Sequence, residues 1–244
     1  MIDPTLAPTL VLLPGMDGTG TLFDPLLQAL DPRWPVQVLR YPGDQPLDYP
    51  ALVERVIAQL PTARRFILLG ESFSGPVAVS VAARQPRGLI GLVLCSSFVR
   101  NPRPRLAPLQ PLLKVLPVQR LPFWPLDALL LGGFSTPSLR QAVAAAIAQV
   151  TPPVLQARLQ AVISVDLCQA LASTRVPLLY LRARRDRLVP QSASALVLQW
   201  RSDARLAEIE APHCLLQAAP AEAAAHLQQF MESVLEVDVV ANGA

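Results

Sequence analysis

The turn Gly70-Glu71-Ser72-Phe73-Ser74-Gly75 holds a serine of the kind that performs nucleophilic catalysis. It follows an apolar run suited to a buried strand and precedes a helix-like segment with Pro76 in its first turn. A serine at such a corner adopts a tight backbone conformation that exposes its hydroxyl. The pattern reads G-x-S-x-S, with Ser74 where the usual G-x-S-x-G has its second glycine. The alternative is a glycine- and serine-rich turn that binds nothing, because short motifs recur by chance.

A serine nucleophile needs a general base, because its hydroxyl is almost fully protonated at neutral pH. The chain offers only two histidines. His213 follows the last predicted strand, in a loop that can carry it over the edge of a sheet. His226 lies well inside an alanine-rich helix, where packing or surface roles are more common. The sequence therefore favours His213 as the base.

The base in turn needs a carboxylate that orients its ring and stabilises the imidazolium. Asp186 follows a predicted strand and lies between Ser72 and His213 in the chain, which gives the order Ser, Asp, His. One alternative is Asp203, in a turn without a strand end to place it. Another is a structural Asp186 that pairs with a nearby arginine. Three arginines near Asp186 are expected to shape the loop or lower the pKa of the carboxylate; they are Arg184, Arg185 and Arg187.

A tetrahedral intermediate also needs hydrogen-bond donors for its oxyanion. We expect one from the backbone N–H of Phe73, at the start of the helix after Ser72. The second is expected from the N–H of Met16, in the glycine-rich loop 13–20, with Gly15 allowing the turn that points it inward. Such a loop could instead bind phosphate, but it lacks a following Gly-Lys-Ser/Thr and the G-x-G-x-x-G spacing.

Short apolar runs alternate with helix-like segments in the first part of the chain and again near its end. This alternation predicts an α/β fold with a parallel sheet covered on both faces. The predicted strands are 9–13, 36–40, 66–69, 89–95, 177–182 and 205–209. The predicted helices are 22–30, 49–60, 75–84, 192–200 and 221–235. Residues 237–244 are expected to form a frayed tail.

The alternation is interrupted between about Val99 and Val165. Prolines recur there between short helix-like pieces such as 139–150, and no strand pattern is visible. We interpret residues 99–165 as an inserted helical cap. The core would then comprise residues 1–98 and 166–244.

These segments together make the chain resemble the α/β-hydrolase superfamily over nearly its whole length. The motifs that carry the resemblance are the loop P-G-M-D-G-T-G and the elbow G-E-S-F-S-G, followed by Asp186 and His213. They are similar to those of small bacterial serine esterases, and the loop also resembles the hydrolase-like part of plant phytyl ester and diacylglycerol acyltransferases. The resemblance implies a Ser72–His213–Asp186 triad, about six mostly parallel strands and a helical lid.

Two positions depart from the pattern of this superfamily. Pro14-Gly15 stands where many relatives have His-Gly, so the hydrogen bond of that histidine is missing. Ser74 replaces the second glycine of the elbow and is expected to crowd the corner slightly. Neither change removes a chemical role.

Composition and charge limit the class of protein to which the chain can belong. The chain has 244 residues, of which 52% are hydrophobic and 16% charged, so it can bury a large core. Its net charge of +3 is too small to argue for nucleic acid. No uniformly apolar 18-residue window predicts a membrane span, and the first residues do not read as a secretory signal. Three cysteines without metal-type spacing indicate reduced thiols and a cytoplasmic location, with no metal or organic cofactor.

The cap interval is basic, and this bears on the substrate. It carries one acid, Asp127, so its net charge is +6, whereas the whole chain carries +3. A solvated, mildly basic lid is the plain interpretation. The functional one is a landing surface for an acyl carrier protein, a coenzyme A ester or an anionic membrane surface. The basic residues of the interval are Arg100, Arg103, Arg105, Lys114, Arg120, Arg140 and Arg158.

The sequence thus predicts a serine hydrolase that cleaves a carboxylic ester of a small or medium acyl group through an acyl-enzyme. Phe123 and Trp124 of the cap are candidate contacts for the acyl chain. A thioesterase, an acyl-carrier-protein methyl esterase or an acyltransferase would use the same three residues. Two remote alternatives are a ligand-binding module that has lost catalysis and cofactor-free perhaloacid or carbon–carbon bond chemistry.

Overall fold

A six-stranded sheet forms the centre of the molecule, and every neighbouring pair of strands is parallel. The computed structural model describes residues 7–105 and 124–242, with the side chains of the last helix described through residue 236. The strands are β1 (Thr9–Leu13), β2 (Val36–Val38), β3 (Phe66–Glu71), β4 (Leu89–Cys95), β5 (Leu178–Ala183) and β6 (Arg205–Ile209). Their order across the sheet is β2-β1-β3-β4-β5-β6. The predicted α/β fold with about six parallel strands is confirmed.

Helices cover both faces of this sheet in the described part of the chain. They are α1 (Asp24–Ala29), α2 (Tyr49–Ile57), α3 (Gly75–Ala83), α4 (Trp124–Leu130), α5 (Pro137–Ala148), α6 (Pro152–Ser164), α7 (Cys168–Ser173), α8 (Gln191–Trp200), α9 (Leu215–Ala218) and α10 (Pro220–Asn242). Short 3-10 turns lie at Thr21–Phe23, Ser72–Ser74 and Gly132–Phe134. None of the helices in these ranges is both long enough and apolar enough to cross a bilayer.

The apolar strands divide their side chains between two cores, because successive residues of a strand point to opposite faces. In β1, Val11 and Leu13 belong to the core packed by α2, α3, α7 and α8. Leu10 and Leu12 belong to the core packed by α1 and α10. A strand buried on both faces must be apolar throughout, which explains the continuous runs in the sequence.

Several of the many prolines start helices. Proline is well suited to a first helical turn, where its missing N–H costs no hydrogen bond. Pro50 and Pro137 occupy such positions, and the preceding Asp48 and Thr136 cap the helices. Asp48 accepts a hydrogen bond of 3.0 Å from the N–H of Ala51. The frequency of proline therefore reflects helix starts as well as loops.

The predicted elements differ from the structure mainly at their ends. Strands β1, β4 and β6 have the predicted bounds. The edge strand β2 ends at Val38 instead of residue 40, because the chain turns away and the N–H of Tyr41 bonds to the carbonyl of Gly18. The expected tail from residue 237 is wrong through residue 242, since α10 continues to Asn242. No proline or glycine interrupts that stretch before Gly243.

The interval between β4 and β5 is helical where the structure describes it, in α4, α5 and α6. Its two ends meet at the sheet. The N–H of Leu167 bonds to the carbonyl of Val99 at 2.8 Å, and the N–H of Asn101 bonds to that of Val165 at 3.1 Å. The two ends of the interval are therefore hydrogen-bonded to each other. Phe123, Lys114 and Arg120 lie outside the described residues.

Glycine is required where β3 meets α3. A Cβ atom built on Gly70 would lie 2.6 Å from the backbone oxygen of Ser74 and 2.8 Å from the Cβ of Ala78. A Cβ on Gly75 would lie 1.8 Å from the Oγ of Ser97. The small residues on either side of Ser72 thus allow the strand and the helix to approach closely.

We predict that Gly70→Ala lowers the free energy of unfolding by about 1–3 kcal/mol, because the new methyl group meets backbone that cannot move aside. Gly133→Ala is the matched control, since a Cβ there has no neighbouring atom within 4 Å. Its unfolding free energy should stay within about 0.5 kcal/mol of the wild type. Urea unfolding of both variants measures this. Equal stability of the two would contradict the close approach.

Candidate active site

Ser72 lies at the carboxyl end of β3 in a strained conformation. Its φ of 48° is in the left-handed region, which residues with a Cβ rarely adopt. The Oγ of Ser97, at the end of β4, donates a hydrogen bond of 2.5 Å to the carbonyl of Ser72. The Tyr180 hydroxyl of β5 in turn donates to the carbonyl of Ser97 at 2.5 Å. Ser97, which follows the adjacent strand β4, and Tyr180 of β5 therefore stabilise the strained turn that presents the serine hydroxyl.

The Ser72 hydroxyl is in contact with a histidine, and the histidine with an aspartate. The Oγ of Ser72 lies 2.8 Å from the Nε2 of His213. The Nδ1 of the same ring lies 2.8 Å from the Oδ2 of Asp186. The side chains of His213 and Asp186 are each only 5% exposed. Three side chains from the loops after β3, β5 and β6 thus form one continuous chain of hydrogen bonds.

The carboxylate of Asp186 is held by backbone donors rather than by an arginine. Its Oδ1 accepts the N–H groups of Leu188 and Val189, each at 2.8 Å. With both oxygens engaged, the carboxylate has a fixed orientation toward the Nδ1 of His213. A carboxylate there favours the tautomer with the proton on Nδ1, which leaves Nε2 free to accept a proton from Ser72.

The arginines near Asp186 have other partners. Arg184 pairs with Glu208 at 2.8 Å, and Arg185 pairs with Glu210 at 2.5 Å. Arg187 donates to the carbonyl of Ala128 at 3.2 Å. These contacts join the loop to β6 and to α4, so the arginines do shape the loop. In the described part of the chain, Asp186 pairs with none of these three arginines.

The alternative base and acid are not part of this hydrogen-bonded chain. His226 lies on α10, which packs on the face of the sheet away from α3. Asp203 receives two hydrogen bonds of 2.7 Å from the guanidinium of Arg201, and its side chain is 65% exposed. Neither residue has a hydrogen bond to Ser72 or His213 in the described part of the molecule.

The loop after β1 lies beside Ser72 because β1 and β3 are adjacent and parallel. Leu13 pairs with Gly70, so the residues after Leu13 run alongside Glu71 and Ser72. Met16 and Phe73 are therefore brought to the same end of the sheet. The turn itself depends on other glycines than expected: Gly18 and Gly20 have φ values of 71° and 73°, whereas Gly15 has no positive φ.

Arg158 of α6 is a functional candidate that the sequence reasoning missed. The sequence interpretation counts Arg158 among the basic residues of a solvated cap. In the structure, however, Arg158 is only 1% exposed. Its Nη1 donates to the carbonyl of Met16 at 2.6 Å and its Nη2 to the carbonyl of Pro42 at 3.0 Å. The guanidinium carbon lies 5.8 Å from the ring centre of Tyr41 and 5.9 Å from that of Phe73.

A sequence signal for the burial of Arg158 does exist. It shares a helical stripe with the buried Val154, Leu155 and Ala161, at the spacing of one helix face. Burial lowers the pKa of Arg158, and the carboxylate of Asp17 opposes that change. A buried guanidinium needs its hydrogen bonds satisfied. Arg158 therefore ties the helix α6 to the loop that carries Met16.

Glu71 is a second buried charged group beside Ser72. Its carboxylate accepts the N–H of Gly15 and a hydrogen bond of 3.0 Å from the Nε2 of Gln217. Burial raises the pKa of Glu71 to about 7, and the hydrogen bond from Gln217 opposes this. The nearby Asp17 raises the pKa further, and His213 lowers it. Sequence reasoning assigned no role to this residue.

Of the two candidate acyl contacts, Trp124 alone lies among the described residues. Phe123 lies outside the described residues. Trp124, at the start of α4, is 72% exposed. Its indole therefore faces mainly solvent rather than an enclosed pocket.

We predict that Glu71 makes stability depend on pH. The folded-state pKa of about 7 exceeds the ordinary value of 4.5, so the folded chain binds more protons between these pH values. The unfolding free energy should therefore fall as pH rises from about 4.5 to 7, by about 3 kcal/mol from this group. Glu71→Gln removes the titration. Its stability relative to the wild type should rise over that range in urea unfolding, and a difference independent of pH would contradict the prediction.

Residues 10–226 match the Alpha/beta hydrolase family. The chain belongs to this family. A pimeloyl-[acyl-carrier protein] methyl ester esterase of Xylella fastidiosa (strain M23) is 32% identical over 208 residues, which cover 76% of this chain and 79% of that protein.

Other relatives match over shorter stretches. The Arabidopsis thaliana protein phytyl ester synthase 1, chloroplastic, is 38% identical over 120 residues, or 46% of this chain and 17% of that protein. A pimeloyl-[acyl-carrier protein] methyl ester esterase of Neisseria meningitidis serogroup C is 34% identical over 103 residues, or 40% of each chain. The chain thus spans two fifths or less of the length of these two curated relatives.

Solved hydrolase structures share the fold of this family member. A thermophilic esterase from Thermogutta terrifontis aligns with a TM-score of 0.80 and 17% identity, covering 93% of this chain and 90% of that one. The enol-lactonase from Burkholderia xenovorans LB400 gives a TM-score of 0.78 and 17% identity, covering 94% and 90%. At such low identity these matches establish the architecture.

Proposed function

We propose that this α/β hydrolase cleaves carboxylic esters of small or medium acyl groups through an acyl-enzyme on Ser72. The single observation that carries the proposal is the hydrogen-bonded chain from Ser72 through His213 to Asp186, with distances of 2.8 Å at both contacts. This arrangement activates a hydroxyl that is otherwise a weak nucleophile.

In the proposed reaction, the Oγ of Ser72 attacks the ester carbonyl while Nε2 of His213 takes its proton. Asp186 stabilises the imidazolium that forms. The N–H groups of Met16 and Phe73 donate to the oxyanion of the tetrahedral intermediate. His213 then protonates the leaving alcohol, and the acyl-enzyme remains. Water repeats the sequence on the acyl-enzyme, which releases the acid and restores Ser72.

Residues 99–165 act in this proposal as a cap over the site, with residues 1–98 and 166–244 as the core. The meeting of the interval's ends at Val99 and Leu167 supports this division. So does Arg158, which connects α6 of the interval to the Met16 loop. A cytoplasmic location belongs to the same proposal, and the three cysteines, all free and buried, agree with it.

We predict that Ser72→Ala and His213→Ala each lower kcat/KM for p-nitrophenyl butyrate by a factor on the order of 10⁴ or more. Asp186→Asn should lower it by about 10³–10⁴, because an amide that donates to Nδ1 favours the tautomer with the proton on Nε2, which cannot accept the proton of Ser72. His226→Ala and Asp203→Asn are matched controls of the same residue types, and both should retain turnover. Turnover that survives in Ser72→Ala would contradict the proposed nucleophile.

A second candidate is an esterase whose substrate is linked to an acyl carrier protein. The specific observation in its favour is the Xylella fastidiosa relative, which covers most of both chains. Exposed arginines of the described cap, Arg103, Arg105 and Arg140 among them, could face an acidic carrier. Arg158 does not contribute to such a surface because it is buried. A coenzyme A thioester or an acyl acceptor other than water would use the same three catalytic residues.

The charge of the cap allows carrier-linked esters to be distinguished from free short esters by experiment. For a carrier-linked methyl ester we predict that Arg105→Glu raises KM several-fold and that added salt weakens binding in the wild type. Hydrolysis of p-nitrophenyl butyrate should be unaffected by Arg105→Glu. Arg64→Glu is the control, since Arg64 precedes β3 at the opposite end of the sheet. A wild type that prefers free short esters at all salt concentrations would count against the carrier.

A further inference from the structure

Ser74 makes a contact that glycine at the same position could not make. Its Oγ donates a hydrogen bond to the carbonyl of Pro14, at the start of the Met16 loop. The same Oγ lies 2.7 Å from the hydroxyl oxygen of Tyr41. Ser74 is fully buried and Tyr41 is 5% exposed, so neither contact is shared with solvent.

The direction of both hydrogen bonds follows from the chemistry of the groups. The carbonyl of Pro14 carries no proton, so Ser74 must donate to it. The single hydroxyl proton of Ser74 is then committed, and Tyr41 must be the donor in the second bond. Burial raises the pKa of Tyr41, which keeps the phenol protonated and able to donate. The result is a directed relay from Tyr41 through Ser74 to Pro14.

This relay completes the anchoring of three consecutive loop residues. Ser74 holds the carbonyl of Pro14, Glu71 accepts the N–H of Gly15, and Arg158 donates to the carbonyl of Met16. Ser74 and Glu71 lie on either side of Ser72 in the sequence. Both sides of the Pro14–Gly15 peptide are therefore fixed by residues of the same turn that carries the nucleophile.

We propose that Ser74, supported by Tyr41, is a positioning residue that aligns the Met16 loop with Ser72 for stabilisation of the oxyanion. The inference rests on the proposed function and extends it to two residues outside the triad. The serine in the last position of G-x-S-x-S is thus assigned a positioning role that differs from the role of the nucleophile. It ties the loop to the turn that holds the nucleophile, so the donors on Met16 and Phe73 keep a constant separation.

The kinetic consequence is specific to the transition state. A complete oxyanion donor contributes about 10²–10³ in kcat, and a displaced donor loses part of that. For Ser74→Ala we expect kcat for p-nitrophenyl butyrate to fall about 10- to 50-fold with little change in KM. Tyr41→Phe leaves the bond from Ser74 to Pro14 in place but removes its support, so the fall should be about 3-fold. In the double variant Tyr41→Phe should add little, since it acts through Ser74.

The test measures kcat and KM per active site, counted with a fluorophosphonate, together with the inhibition constant of an alkyl trifluoromethyl ketone. This ketone adds to a serine hydroxyl and forms a tetrahedral oxyanion, so its inhibition constant should rise by the same factor as kcat falls. Ser194→Ala is the matched control: that serine is also buried and donates to a backbone carbonyl, that of Gln191, at 2.8 Å. It should lose stability in urea unfolding while kcat and the inhibition constant stay unchanged.

The outcomes separate the two proposals. If the wild type does not hydrolyse esters, the proposed function fails. If it does, and Ser74→Ala keeps kcat and the inhibition constant within two-fold of the wild type, the positioning role is overturned. Should Ser74→Ala not fold, Tyr41→Phe decides alone: a lower kcat with a parallel change in the inhibition constant supports the role, and unchanged values reject it.

Discussion

The left-handed backbone of Ser72 is the constraint on which the site depends. A φ of 48° costs a residue with a side chain on the order of 1–3 kcal/mol, so the surrounding structure must hold it. Ser97 does so through its hydrogen bond to the carbonyl of Ser72, and Tyr180 fixes Ser97. Ser97 follows β4, which is adjacent to β3, and Tyr180 lies on β5, the strand beyond β4. The sheet thus provides the rigid support that a strained catalytic turn requires.

The sheet also provides the geometry around that turn. Because its strands are parallel, the loops after β1, β3, β5 and β6 meet at one edge. This arrangement brings together residues that are far apart in the chain, such as Ser72 and His213, which are separated by 141 positions. Buried polar groups then fix the loops against each other. Arg158, Glu71 and Ser74 each bond to the backbone of the Met16 loop.

These buried groups explain how one site can hold several charges. Glu71 directly precedes Ser72 and Asp17 lies near Glu71, and a negative charge beside the nucleophile would oppose a developing oxyanion. Arg158 interacts favourably with Asp17, and burial favours the protonated form of Glu71. The net negative charge next to the nucleophile is therefore smaller than the count of acidic residues suggests. Electrostatic balance and loop orientation are provided by the same side chains.

Sequence patterns predicted the strands and the three residues of the hydrogen-bonded chain because both depend on local information. A buried parallel strand must be apolar at every position, and polar residues after such strands reach a common edge whatever the details of packing. The partners of Arg184 and Arg185 were not predictable in this way, because a long flexible side chain can reach several carboxylates and the fold selects one.

The sequence alone identified the serine in its turn, the histidine and aspartate in chain order, and the unusual Ser74. Tertiary structure decided what each of them touches. Ser74 and the carbonyl of Pro14 are 60 positions apart, and Arg158 and Met16 are 142 apart, so only the packing of β1 against β3 and of α6 over the loop makes these contacts. Local periodicity specifies which face a residue occupies, whereas the partner on that face depends on elements that the local sequence does not contain.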